Sequence, residues 1–140
     1  MFELDKYYEQ YSDDIYKFIY FLTFNKQLAE DLMQETFIKA FEARTPFRNE
    51  AQISTWLHAI AKNCTYDYLK KKSNRLFLPF GIMPEPEAVQ LSAEDIAHLE
   101  EDRKALYIAL SQLKYDFRAA IILRKLEQKS IKETAVILNW

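Results

Sequence analysis

Apolar side chains recur at intervals of three and four residues over long stretches of the chain, the spacing of amphipathic helices. From Glu3 to about Thr23 the stripe is Tyr7, Tyr8, Tyr11, Ile15, Phe18, Ile19 and Leu22. Asn25 predicts an N-cap for a second helix running to about Ala43. Its stripe is Ala29, Leu32, Met33, Thr36, Phe37, Ala40 and Phe41, with Glu30, Asp31, Gln34, Glu35 and Lys39 turned away from it. Pro46 interrupts the pattern, so TPFRNEAQ reads as a loop. A third helix from about Ile53 to Lys72 would bury Ile53, Trp56, Leu57, Ile60, Ala61, Cys64 and Tyr68. Its outer side would present Thr55, His58, Lys62, Asn63, Tyr66 and Lys70.

The character changes after Ser73. The stretch RLFLPFGIMPEPEAVQ holds three of the four prolines and the single glycine, which predicts a linker over residues 76–91. Helical signals resume at Ser92, with Asp95 three residues on, and continue to about Leu110. Asp116 predicts a cap for a short helix through Leu126, and Ser130 with Glu133 spells a second capping box before a helix reaching Trp140. The expected architecture is all-α. A three-helix N-terminal bundle over 1–75 is joined by an acidic, proline-containing linker to a smaller, incomplete helix-turn-helix domain over 92–140.

Composition narrows the functional classes. With 49% hydrophobic and 15% aromatic residues the chain can pack a core, and with 1 Gly it has no phosphate-cradling loop or dinucleotide fingerprint. The lone Cys64 lies on an apolar stripe and reads as a core thiol. His58 and His98 have no second His or Cys at ligand spacing, so no metal or other cofactor is expected. Paired acids such as Glu30 and Asp31 have no apolar pocket to tune them, which argues against an enzyme. The N-terminus MFELDKYYEQ lacks a signal pattern, and no apolar run nears the ~20 residues that insertion in a membrane requires, so a cytoplasmic protein is expected. The net charge of −2 hides alternation: residues 1–50 carry −4, residues 51–80 +4, residues 81–102 −7 and residues 103–140 +5. Different surfaces should therefore serve different partners.

Three stretches stand out from a generic helical bundle. AEDLMQETFIKAF, residues 29–41, sets a polar strip on a firm apolar face. FRNEAQISTWLHAIAKNCTYDYLKKK, residues 47–72, follows a loop aromatic with a helix that interleaves aromatics and cations and ends in Lys70, Lys71 and Lys72. Cations that follow a backbone and aromatic faces that hold unstacked bases suit single-stranded nucleic acid. A lysine run also suits a helix C-terminus by itself. The third stretch, residues 110–140, opens like a helix-turn-helix.

In this order and spacing the chain resembles an extracytoplasmic-function sigma factor of bacterial RNA polymerase. AEDLMQETF is similar to the family's A-E-D-[LIV]-x-Q-E-x-F signature and TWLHAIAKN to its T-W-L-x-x-I-A-x-N signature. The resemblance implies that Asp31, Gln34 and Glu35, with Glu30 beside them, dock on the clamp of the polymerase largest subunit. It implies that Phe47, Arg48 and Ile53 lie in or beside the loop that traps a flipped base of the downstream (−10) promoter element. Asn63 would hold the unstacked strand, with Thr55, Trp56 and Lys62 in the same signature helix, though Trp56 also sits on the apolar stripe. Arg118, Arg124, Lys125, Lys129 and Lys132 could reach phosphates. The acids Glu85, Glu87, Glu94 and Asp95 would run through the polymerase interior by mimicking nucleic-acid charge.

The resemblance also implies an anti-sigma factor as a partner. The sequence stops at Trp140, before the family's recognition helix for the upstream (−35) element. Upstream reading is therefore not expected, and Ile121, Leu123, Val136 and Leu138 are expected to lack packing partners. Two other readings stay open: a truncated module that occupies polymerase or an anti-sigma factor without initiating, and a helical regulator of another family that binds duplex DNA.

Overall fold

A computed structural model describes residues 4–43, 50–74 and 93–140, with residues 4, 50–52, 72–74 and 95 described by backbone alone. Phe47, Arg48, the 76–91 linker and the Ser92 cap lie outside the described residues, as does the Lys72 side chain. Every element among the described residues is helical: α1 (Leu4–Thr23), α2 (Lys26–Ala43), α3 (Glu50–Asn74), α4 (Ala93–Ala97), α5 (Glu101–Ser111), α6 (Tyr115–Ile121) and α7 (Ile131–Leu138). A π-helical stretch, Ile122–Leu126, prolongs α6.

The turn between α1 and α2 takes only two residues. Phe24 closes α1 with a left-handed backbone, φ 50°, a conformation that costs a non-glycine residue ~1–2 kcal/mol. The strain is held by packing, because the Phe24 ring is buried and stacks against the Arg118 guanidinium 5.3 Å from its centroid. Asn25 then caps α2 as its sequence predicts, its Oδ1 accepting from the Leu28 N–H at 3.0 Å. The polar members of the buried faces satisfy themselves locally. Thr23, Thr36 and Thr65 each donate to the carbonyl four residues earlier, at 3.0, 2.7 and 2.8 Å.

The predicted stripes largely form the core. Ile15, Phe18, Ile19, Leu32, Phe37, Leu57 and Ala61 are among its buried members, and burial pushes the Cys64 thiol upward, as suits a core group. Tyr8, Phe41 and Tyr68 are exposed instead, Tyr8 near the N-terminal end of α1 and Phe41 and Tyr68 toward the C-terminal ends of α2 and α3.

Three expectations for the C-terminal part are corrected. The single helix over Ser92–Leu110 breaks at His98–Glu100, because the acids Glu101 and Asp102 favour a fresh N-terminus whose dipole they complement. Asp116 is not a cap: α6 starts at Tyr115 after Lys114, leaving Asp116 in its first turn. Leu123 and Leu138 do not lack partners but are buried, while Ile121 and Val136 stay exposed.

The Ser130 and Glu133 capping box forms in both directions, each bond 3.0 Å. The Ser130 backbone N–H donating to Glu133 lowers that carboxyl below its usual range. Its contribution is therefore present above the ordinary glutamate range and lost as pH falls through the lowered value.

The C-terminal helices share the core of the bundle. Helix α7 packs along α3, and α6 packs on α1. Arg118 locks this arrangement. Only 1% exposed, it donates from Nη1 to the Leu22 carbonyl at 2.9 Å and from Nη2 to Ser111 and Leu113 carbonyls at 2.8 and 3.3 Å. A cation thus closes the C-terminal ends of α1 and α5, where the helix dipole favours one. Its expected phosphate contact is corrected accordingly, because the guanidinium is enclosed by protein.

Candidate polymerase and nucleic-acid interfaces

Helix α2 buries Ala29, Leu32, Met33, Thr36, Phe37 and Ala40 and so must turn Glu30, Asp31, Gln34 and Glu35 outward. All four are exposed, on a rigid helix rather than a loop. Gln27 Nε2 donates to Asp31 Oδ1 at 3.0 Å, which holds that carboxylate in place. Lys39 pairs with Glu35 at 3.3 Å, an exposed contact of little energetic weight. Asp31 and Glu35 lie four residues apart with like charge, a mild repulsion that a cationic partner would relieve. The strip predicted from sequence is therefore brought together on one surface.

Helix α3 is the basic element. Lys62 and Lys70 flank Tyr66, their Nζ atoms 5.8 and 5.9 Å from its ring centroid. Asn63 and Lys71 are exposed beside them. This end of α3 joins cations, an aromatic face and an amide, the set that single-stranded nucleic acid recruits. Tyr66 belongs with the candidate residues, and the two lysines four residues on either side of it are the signal that marks it.

Other candidates are placed differently. Ile53 is a core residue, 4% exposed, because it faces the bundle at the start of α3. Trp56 is half-buried and packs against the core, in keeping with its place on the stripe. Thr55 is half-buried, and its hydroxyl donates to Glu133 Oε2 at 3.3 Å.

His58 was expected on the outer side and is instead buried. Its Nδ1 lies 2.7 Å from the Ser54 carbonyl and its Nε2 against the Glu127 carboxylate. The cause is the C-terminal part, which lies on that side of α3. Arg124 is exposed and donates to the Lys129 carbonyl at 2.6 Å. Lys129 Nζ donates to Ser54 Oγ at 2.6 Å, and the buried Tyr115 hydroxyl donates to the Lys62 carbonyl at 2.8 Å. Burial pushes that hydroxyl well above its usual range, so it stays protonated as a donor.

No helix among the described residues is long and apolar enough to cross a membrane. No group of three or more ligating side chains that could hold a metal ion occurs among them either.

The Sigma-70 region 2 family profile matches residues 7–75, which hold α1–α3 and thus both the acidic strip and the basic helix. Similar proteins include the ECF RNA polymerase sigma factor SigX of Bacillus subtilis, 31% identical over 137 residues, covering 95% of this chain and 71% of that protein. SigM of the same organism is 29% identical over 136 residues, covering 97% and 82%. BldN of Streptomyces coelicolor is 33% identical over 133 residues, covering 94% and 50%. The similarity runs through both signature stretches and beyond them into the C-terminal helices, and the chain belongs to the family of ECF RNA polymerase sigma factors, which direct the polymerase to promoters at transcription initiation.

Proposed function

We propose that the chain docks on the largest-subunit clamp of core RNA polymerase through Glu30, Asp31, Gln34 and Glu35 and opens the −10 element with α3 and the loop before it. The observation that carries the reading is the separation of charge on two rigid helices: an exposed acidic strip on α2, and a cationic, aromatic end on α3. An acidic strip repels nucleic acid and suits a protein partner, whereas Lys62, Asn63, Tyr66, Lys70 and Lys71 suit an unstacked strand.

Extracting a base costs a few kcal/mol of unstacking, which pocket contacts around Asn63 and the Phe47 loop would offset. The chain itself does no bond chemistry on this reading. Arg124 and Lys129 would add phosphate contacts that position without specifying sequence. Residues 1–75 form the melting domain, residues 76–91 the linker and residues 92–140 the helix-turn-helix part. An anti-sigma factor is a further partner on the same reading.

The test is Asn63→Ala. Because Asn63 is exposed, its loss should leave the fold and core-polymerase binding intact. Promoter opening, followed by permanganate reactivity of unpaired thymines, should fall by roughly tenfold, the loss of one strong polar contact. Opening at the parent level would remove α3 from the strand site.

A further inference from the structure

We propose that the cleft between α1 and the turn joining the π-helical stretch to α7 binds a free amino acid with an apolar side chain, held as its zwitterion by Asp14 and Lys17. The cleft encloses about 260 Å³, just under the ~300 Å³ at which pockets for drug-sized ligands begin, and so suits a smaller molecule. Helix α1 supplies Asp14, Lys17 and Phe21 to one wall, and the turn supplies Leu126, Glu127 and Lys129 to the other. Gln128 shapes this second wall, since its left-handed backbone, φ 56°, redirects the chain so that Lys129 reaches Ser54 on α3.

The charges on the two walls differ in how they are used. Glu127 lies against His58 Nε2, and Lys129 Nζ donates to Ser54 Oγ at 2.6 Å, so the charges of the turn are engaged with α3. Asp14 and Lys17 are exposed, and neither has a hydrogen-bond or ion-pair partner among the described residues. They stand three residues apart on a helix, where side chains of opposite sign are neighbours, yet they do not pair with each other. A ligand that bridges them must carry both signs close together. An α-amino acid does so: its carboxylate suits the Lys17 ammonium, and its ammonium suits the Asp14 carboxylate. Phe21, one turn beyond Lys17, and Leu126 on the other wall give an apolar side chain a surface to cover. A nucleotide or other polyanion fits less well, because Asp14 and Glu127 would face its phosphates. Since both walls are needed, the ligand also strengthens the packing of the turn on α1.

The experiment titrates the full chain with L-leucine and follows its backbone amides by heteronuclear NMR. Three comparison ligands are titrated beside it. N-acetyl-leucine lacks the ammonium, leucinamide lacks the carboxylate, and glycine lacks only the side chain. Asp14→Ala and Lys17→Ala each remove one binding charge, and because both positions are exposed the fold should hold.

Leucine is expected to shift the amides of α1 around Lys17 and of the turn around Gln128 in a saturable way. Each derivative, and each variant, should weaken binding by roughly fivefold, the upper end for an exposed ion pair. The losses should not add: Asp14→Ala should bind leucine and N-acetyl-leucine alike, and Lys17→Ala should bind leucine and leucinamide alike. Glycine should bind roughly tenfold more weakly than leucine, having no apolar surface to bury. Leucine that produces no saturable shift, shifts that fall outside both walls, or binding unchanged in both variants would overturn the site. Equal binding of leucine and its two derivatives by the parent chain would overturn the zwitterion, and glycine bound as tightly as leucine would overturn the apolar side chain.

Discussion

Replacing Arg118 with methionine is expected to weaken the hold of the C-terminal helices on the bundle and to lower stability by about 2–4 kcal/mol. The methionine keeps most of the apolar stem, so the change isolates the guanidinium. Three carbonyls, those of Leu22, Ser111 and Leu113, lose their donors. A buried carbonyl without a donor costs about 1–3 kcal/mol, and two of these lie at the negative ends of helix dipoles. Phe24 also loses the cation that covers its ring and helps to hold its left-handed backbone.

Opposing this is relief from burying a charge. Burial brings the Arg118 pKa down to about 10, a partial shift that leaves the group protonated at neutral pH. Losing three charge-assisted bonds to carbonyls should outweigh that relief. Urea unfolding followed by circular dichroism measures the difference. A change below about 1 kcal/mol would mean that desolvation cancels the bonds.

Reversing the α2 strip should have the larger functional effect. Asp31→Arg with Gln34→Ala is expected to weaken core-polymerase binding by about thirtyfold or more, the scale of about 2–5 kcal/mol seen when one side of a desolvated polar contact is removed. Both positions are exposed on α2, so the fold should change by no more than about 0.5 kcal/mol. Co-elution with core polymerase at several salt concentrations reads the outcome. Affinity equal to the parent's would remove this strip from the docking surface.

Much of the bundle is legible in the sequence because its signals are local. The α1 and α2 stripes, the Asn25 cap and the Ser130 capping box depend on neighbours three or four residues away. The outward strip of α2 follows from the same periodicity. What escapes is the contact between distant halves of the chain.

His58 reads as an outward residue when α3 is given one buried face, but α3 is covered on two sides, by α1 and α2 and by the C-terminal helices. The faint signal is Ser54, His58 and Thr65 at helical spacing, a second row of small and polar residues that can be buried once satisfied. Arg118 carries a clearer one, since it shares the stripe of Tyr115, Ala119 and Ile122, where a solvated cation does not belong. Its ligands are backbone carbonyls from α1 and from the end of α5, and no side-chain pattern encodes those.

Transcription by core polymerase with and without the chain tests the central claim most directly, on a promoter selected for opening in its presence. Run-off transcript that depends on the chain, and that is lost in the Asp31→Arg/Gln34→Ala variant, is the predicted result. A chain that binds core polymerase yet yields no transcript and no permanganate-reactive thymines would contradict the account, leaving an occupant of the polymerase that does not initiate.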